Sequence, residues 1–204
     1  MVKLEPTVNV VDDDENVRDS LGQLIAAVGF SARTFASAQE FLDSYDFSEP
    51  GCLLLDVRMP GMSGLGLQHK LAECRDCLPI VFITGHGDVA TAVEAFKNGA
   101  VDFIEKPFND QKLLDSINKA VEISLRNWRD KAELADIRKR LDSLTSREHQ
   151  VMEGIIDGKT NKMIAFELDL SPKTVDYHRC NIMEKMGVNS AVQLTRLVLK
   201  MPKI

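Results

Sequence analysis

The chain of 204 residues lacks a disulfide framework and any apolar run long enough to span a membrane. Its four cysteines are Cys52, Cys74, Cys77 and Cys180. Cys52 reads as a small apolar strand residue. Cys74 and Cys77 form one C-x-x-C with His69 nearby. A zinc or redox site needs a second ligand pair or a strand-to-helix context. Two reduced surface cysteines near a helix end are the plainer reading, and a redox role stays open. Met1 to Glu5 has no basic-then-apolar plan, so no signal peptide is expected. With no membrane-length run, these absences predict a cytoplasmic protein with no membrane partner. Apolar residues at 44% and charged ones at 27% exclude wholesale disorder.

The net charge of −6 conceals an asymmetry. Met1–Ser124 carries 20 acidic and 10 basic residues, whereas Thr145–Ile204 carries 7 and 9. An acidic part joined to a mildly basic tail predicts two domains with different partners.

Four polar residues each follow a strand-forming apolar run. Asp13 follows Val8–Val11, Asp56 follows Cys52–Leu55, Thr84 follows Ile80–Ile83, and Lys106 follows Phe103 and Ile104. Helical patterns separate the runs, which predicts buried parallel strands. Expected strands are Val8–Val11, Ser31–Phe35, Leu53–Asp56, Ile80–Thr84 and Asp102–Glu105. Expected helices lie near Glu15–Val28, Ala38–Tyr45, from the Pro60/Gly61/Gly64 loop to about Cys74, and near Val89–Asn98. The alternation predicts a doubly wound five-stranded parallel sheet. Ligands bind such sheets at the carboxyl ends of the strands. Two carboxylates, a hydroxyl and an ammonium would therefore share one crevice. That set suits a hard cation such as Mg²⁺ together with a phosphoryl group.

From Asn109 the pattern turns helical. Leu114, Ile117, Val121, Leu125, Trp128, Ala132 and Ala135 recur at steps of three and four, and no Pro or Gly occurs between Pro107 and Gly154. A helix to about Lys139 is expected. It could be a stiff spacer or could pack against a partner subunit; both readings stay open. Beyond it, Thr145-Ser-Arg-Glu148 fits a capping box closed by Gly158. A short helix spans Asn161–Leu168. Ser171-Pro172 starts a helix that Gly187 closes, and a last helix covers Ser190–Lys200. This is the helix-turn-helix plan. On the Pro172–Met186 helix, Val175, Ile182 and Met186 share a core face, with Lys173, Tyr177, Cys180 and Glu184 opposite.

Val10-Val11-Asp12-Asp13-Asp14, Leu55-Asp56 through Gly64, Ile83-Thr84-Gly85-His86-Gly87 and Glu105-Lys106-Pro107-Phe108 together resemble the receiver domain of two-component response regulators, from about Thr7 to Val121. Leu144–Leu199 resembles the LuxR-type helix-turn-helix through Leu144-Thr145-x-x-Glu148, Gly158, Asn161-Lys162-x-Ile164-Ala165, Ser171-x-x-Thr174-Val175-x-x-His178 and Lys185. The whole is similar to the NarL/FixJ class, and Gly85–Asp88 with Gly99–Phe103 leans toward the FixJ branch. The resemblance implies a flavodoxin-like receiver over residues 1–124, a helical linker over 125–143 and a small all-α DNA-binding domain over 144–204.

It also implies roles. Asp56 is the phospho-acceptor. Asp12, Asp13, Asp56 and the Arg58 backbone carbonyl hold Mg²⁺. Lys106 pairs with Asp56 or its phosphate, in a family X-Pro bond that is usually cis and aims the ammonium inward. Thr84 bonds the phosphoryl oxygen, and Phe103 is the aromatic that rotates with it. Arg58 and His86 flank the phosphoryl group or are ordinary rim residues. Lys162, Lys173, Thr174, Arg179 and Lys185 are candidates for DNA phosphate contact. Asp176, Tyr177, His178, Cys180 and Asn181 lie on or beside the groove face. His178 reads equally as a structural histidine. The partners implied are a sensor histidine kinase, promoter DNA, a second copy of the chain on phosphorylation, and RNA polymerase. No enzyme acting on a separate substrate is expected. One rival is a Mg²⁺-dependent aspartyl-phosphate phosphohydrolase, but Arg58 stands where its second carboxylate belongs. The other is a DNA-binding protein with a structural receiver, which the full phospho-acceptor set argues against.

Overall fold

The computed structural model describes residues 5–45, 49–73, 78–85 and 88–201. Cys74, Cys77 and His86 lie outside these residues. Two compact units divide the chain, Met1–Trp128 and Arg129–Ile204.

Unit 1 alternates β1 (Thr7–Val11), α1 (Glu15–Ala27), β2 (Ser31–Phe35), α2 (Ala38–Ser44), β3 (Gly51–Asp56), α3 (Gly64–Ala72), β4 (Ile80–Thr84), α4 (Val89–Lys97) and β5 (Asp102–Glu105). All strand pairs are parallel, in the order β2-β1-β3-β4-β5. The period of two along the strands separates two cores. Val11, Leu53, Leu55 and Phe82 meet Phe41 of α2, Leu67 and Leu71 of α3 and Ala95 of α4. Val8, Val10, Leu54, Val81 and Ile83 meet Leu21 and Ile25 of α1 and, further along, Leu113 and Ile117. Each such side chain, fully buried, contributes about 1.5–3 kcal/mol. Cys52 is among them. Burial pushes its thiol up to about 12, which makes it inert as a nucleophile.

Strands β1 and β3 begin earlier than expected because Thr7 pairs with Gly51, and the Thr7 N–H donates to the Pro50 carbonyl at 3.1 Å. Helix α3 stops at Ala72, short of Cys74.

Helix α5 (Asp110–Asp142) runs three residues past the expected end. The reason is packing: Ile137 is buried, and Leu141 lies against the core of unit 2. There follow α6 (Ser146–Ile156), α7 (Asn161–Leu168), α8 (Pro172–Met186) and α9 (Ala191–Leu199). The Thr145–Glu148 capping box forms as its residues dictate, and Ser171 caps α8 with Pro172 in its first turn. Between α7 and α8, Asp169 takes the left-handed conformation at φ 52°, a role aspartate fills more readily than most non-glycine residues. Among the described residues no helix is long and apolar enough to cross a membrane.

Candidate functional site

Parallel pairing in register carries the polar residues to one edge of the sheet. Asp56 ends β3 beside Ile83, and Thr84 ends β4 beside Glu105. The Lys106 N–H then donates to the Thr84 carbonyl at 2.7 Å, extending the ladder by one bond. The Lys106–Pro107 bond is cis. The Lys106 ammonium lies 2.7 Å from Asp12 Oδ2 and 3.5 Å from Asp56 Oδ1. Asp12 and Asp56 are 2% and 7% exposed, so this cation stands between two carboxylates withdrawn from water.

Backbone donors hold the carboxylates. The Arg58 N–H donates to Asp56 Oδ2 at 2.8 Å, and the Asp14 N–H to Asp12 Oδ1 at 3.0 Å. Burial raises the Asp56 carboxyl above its ordinary value. The Lys106 charge and the Arg58 N–H pull it down, and the Asp12 charge adds to the rise. Gly64 closes the pocket's wall. A Cβ there would lie 2.2 Å from the Asp56 carbonyl oxygen, so only glycine lets α3 start this close to the strand end. Thr84 is buried, and Phe103 is half-buried against Phe82, with ring centroids 6.1 Å apart.

Asp13 and Arg58 are exposed at the rim. Among the described residues no three His, Cys, Asp or Glu side chains form a group that could hold a metal ion. The chemistry nevertheless fits Mg²⁺. The donors are hard carboxylate oxygens, and the buried pair carries one more negative charge than Lys106 supplies. The carboxylate of Asp13 is the next oxygen donor along the chain.

In unit 2, Val175, Ile182 and Met186 are fully buried on one face of α8. Lys173, Asp176, Tyr177, Cys180 and Lys185 are exposed, as is Lys162 on α7. Thr174, His178, Arg179 and Asn181 are half-buried. The Thr174 hydroxyl shares a 2.8 Å hydrogen bond with Ser171 Oγ. Among the described residues, buried His178 Nδ1 meets no hydrogen-bond partner.

The Lys185 ammonium points inward, 2.7 Å from Glu148 Oε2 and 3.2 Å from the Ser143 carbonyl. Burial alone would raise the Glu148 carboxyl. Hydrogen bonds from Lys185 and from the N–H and hydroxyl of Thr145, with the Lys185 charge, overcome it and hold the group at about 2.

Several polar side chains were not anticipated from sequence. Gln68 Nε2 of α3 donates to the carbonyls of Ala95 and Asn98 at the end of α4. Asn161 Nδ2 holds Asp176 Oδ1 at 2.9 Å. His69 faces Asn98 and Glu94.

Residues 8–118 match the response regulator receiver domain, and residues 142–198 match the bacterial regulatory proteins of the luxR family. The transcriptional regulatory protein FixJ of Bradyrhizobium diazoefficiens is 45% identical over 193 residues, covering 95% of this chain and 94% of that one. The response regulator protein TodT of Pseudomonas putida is 43% identical over 190 residues, 93% and 84% of the two chains. Among solved structures, that of the response regulator StyR has a TM-score of 0.89 at 44% identity, covering 97% of this chain and 100% of that one. Both domains in one chain, with relatives that span nearly all of it, show that the protein belongs to the FixJ-like two-component response regulators, phosphorylation-dependent regulators of transcription that join a receiver to a LuxR-type DNA-binding domain.

Proposed function

We propose that Asp56 accepts a phosphoryl group from a sensor histidine kinase and that this controls dimerisation and promoter binding. The observation that supports it is the Lys106 ammonium set between the buried Asp12 and Asp56 carboxylates at the carboxyl edge of the sheet. An Asp56 carboxylate oxygen forms the new O–P bond as the P–N bond to the donor histidine breaks, which yields an acyl phosphate. Asp12, Asp13, Asp56 and the Arg58 carbonyl would hold Mg²⁺, which supplies charge neutralisation between nucleophile and phosphoryl oxygens. Lys106 is placed to pair with the added negative charge. The Thr84 hydroxyl donates to a phosphoryl oxygen, and Phe103 turns inward behind it.

The catalysis proposed is confined to the chain's own phosphorylation and dephosphorylation. Residues 1–124 act as the phospho-acceptor domain, 125–143 as the helical linker and 144–204 as the DNA-binding domain. In the last, the N-terminal half of α8 presents Asp176, Tyr177 and Cys180 to base edges, with His178 and Asn181 beside them. Lys162, Lys173, Thr174 and Arg179 contact phosphates. Lys185 contributes positive field near the backbone while it remains tied to Glu148. Two such domains on a phosphorylated dimer would recruit RNA polymerase at paired half-sites.

The test is phosphorylation by acetyl phosphate or a kinase in the presence of Mg²⁺. Wild type should take up label, and Asp56→Asn should not. Stoichiometric, persistent label in Asp56→Asn would refute the assignment. Steady turnover of small phosphate esters would favour the phosphohydrolase instead.

A further inference from the structure

The last turns of α5 are part of unit 2. Ile137 is buried, Leu141 packs on the core formed by α6 to α9, and Glu133 pairs with Lys200 just past α9. A polar contact from this segment reaches α8 itself. Arg140 Nη1 donates to the carbonyl of Met186, the last residue of α8, at 2.8 Å. Asp136, one turn back on α5, holds Arg140 Nη2 at 2.7 Å and so sets the plane of the guanidinium. Gly187 follows at φ 65°, and a Cβ there would lie 2.6 Å from Arg140 Nη1. The end of α8 is therefore shaped to admit this side chain.

A helix leaves its last carbonyls without intrahelical partners and gathers partial negative charge there. A guanidinium answers both and, unlike an ammonium, can hold two partners in a fixed plane. The contact also sets direction. At 1.5 Å per residue, α8 is about 22 Å long, so a pivot of about 5° at Met186 displaces the Pro172 end by about 2 Å. That displacement is enough to break hydrogen bonds to base edges, which tolerate only a few tenths of an ångström.

We propose that Arg140 is a positioning residue for DNA recognition: it pins the C-terminus of α8 to α5 and so fixes the angle at which the N-terminal half of α8 meets the groove. The proposal rests on the reading of α8 as the groove helix. Arg140 itself need not touch DNA.

The experiment uses the full-length protein treated with acetyl phosphate and Mg²⁺, an operator selected by wild type from random duplexes, and an unrelated duplex at the same salt. Arg140→Gln should bind the operator about tenfold more weakly, with affinity for the unrelated duplex unchanged within about twofold. Arg140→Lys, which restores a cation at the Met186 carbonyl, should recover most of the operator affinity. Wild-type operator binding by Arg140→Gln overturns the proposal. So does an equal loss on both duplexes that Arg140→Lys fails to rescue, because that is the behaviour of a stability defect alone. Lys173→Ala in the same titration tests α8 separately. If it leaves DNA affinity unchanged, the assignment of α8 falls and the proposal with it. If it weakens binding while Arg140→Gln does not, only the pinning role falls.

Discussion

Lys106 stands closer to Asp12, at 2.7 Å, than to Asp56, at 3.5 Å. Its first partner is thus not the proposed nucleophile. The arrangement leaves Asp56 loosely held by the ammonium and firmly held by the Arg58 N–H on its other oxygen. Removing the ammonium leaves two buried carboxylates facing each other. Lys106→Met should therefore destabilise unit 1 by about 3 kcal/mol, since breaking a buried pair exposes an uncompensated charge. Asp12→Asn should restore more of that loss than Asp56→Asn does. Urea melts of the single and double variants measure the order, and a larger rescue by Asp56→Asn would reverse the pairing hierarchy.

Burial raises the Asp56 carboxyl above its ordinary value of 3.8 despite Lys106 and Arg58. An acid with a raised folded-state pKa costs stability when ionised. The cost is absent below the unfolded value and complete above the folded one. Asp56→Asn should consequently melt at a higher temperature than wild type at pH 7 in Mg²⁺-free buffer. The gain should vanish as pH falls below about 3.8. Added Mg²⁺ should stabilise wild type more than the variant. A variant that melts below wild type at pH 7 contradicts this account of the site.

Glu148 behaves in the opposite sense. It is 3% exposed, and its carboxyl is held at about 2 against an ordinary 4.5. An acid with a depressed pKa stabilises the fold fully above the unfolded value and loses that contribution as pH falls through the folded one. The window is therefore pH 4.5 down to about 2. Its worth is of order 2–3 kcal/mol, reduced from the full shift because Lys185 is partly in water. Glu148→Gln should be less stable than wild type at pH 6 and approach it near pH 2. A constant difference across that range would show that the capping box, not the charge, carries the effect.

The strand-end residues were legible because a buried parallel strand is a short apolar run, and the first polar residue after it has one place to go. Asp56, Thr84 and Lys106 follow from that rule. The starts of α6 and α8 were equally legible, since Thr145 with Glu148 and Ser171 with Pro172 state their caps locally. Long-range polar contacts were not. Nothing in a period of 3.6 distinguishes Arg140, which reaches Met186, from a solvated arginine, or Gln68 from any other helical glutamine. Lys185 fits the pattern of a phosphate-binding lysine, yet the capping glutamate shares one oxygen, Glu148 Oε2, between Thr145 and this ammonium. The helical stripe ends early in the sequence because Ala132 and Ala135 set its apparent line, while Ile137 is buried and Leu141 packs on a second core.

Phosphorylation should change the mass of the protein in solution. Helix α4 exposes Val89, Val93 and Phe96, at 82%, 45% and 49%, a run of apolar surface beside β5. Such surface on one helix face suits a self-complementary two-fold contact. Light scattering should record a monomer before acetyl phosphate treatment and a dimer after it. Phe96→Glu should remain monomeric while still taking up label, and Thr84→Ala should weaken the shift. An unchanged mass in verified phosphoprotein at high concentration would point to release of the DNA-binding domain as the sole switch.

Two exposed residues of α8 separate positioning from readout. Lys173 stands exposed in the first turn of the helix, directly after Pro172, where the proposed docking would bring its ammonium to a phosphate. Tyr177, 65% exposed and a little over one turn further on, carries an amphipathic ring with a hydroxyl, and the proposed docking of α8 would turn it toward the groove. Loss of a phosphate contact weakens all sequences alike and lowers the salt slope by roughly one unit. Loss of a base contact relaxes one position of the site, at about 1–3 kcal/mol. Lys173→Ala should accordingly shift the affinity for operator and unrelated DNA together. Tyr177→Ala should flatten a single column of the selected-site profile and leave the salt slope as it was. The reverse pattern, with Lys173→Ala altering base preference and Tyr177→Ala leaving it intact, would mean that α8 lies in the groove rotated from the orientation its buried face implies.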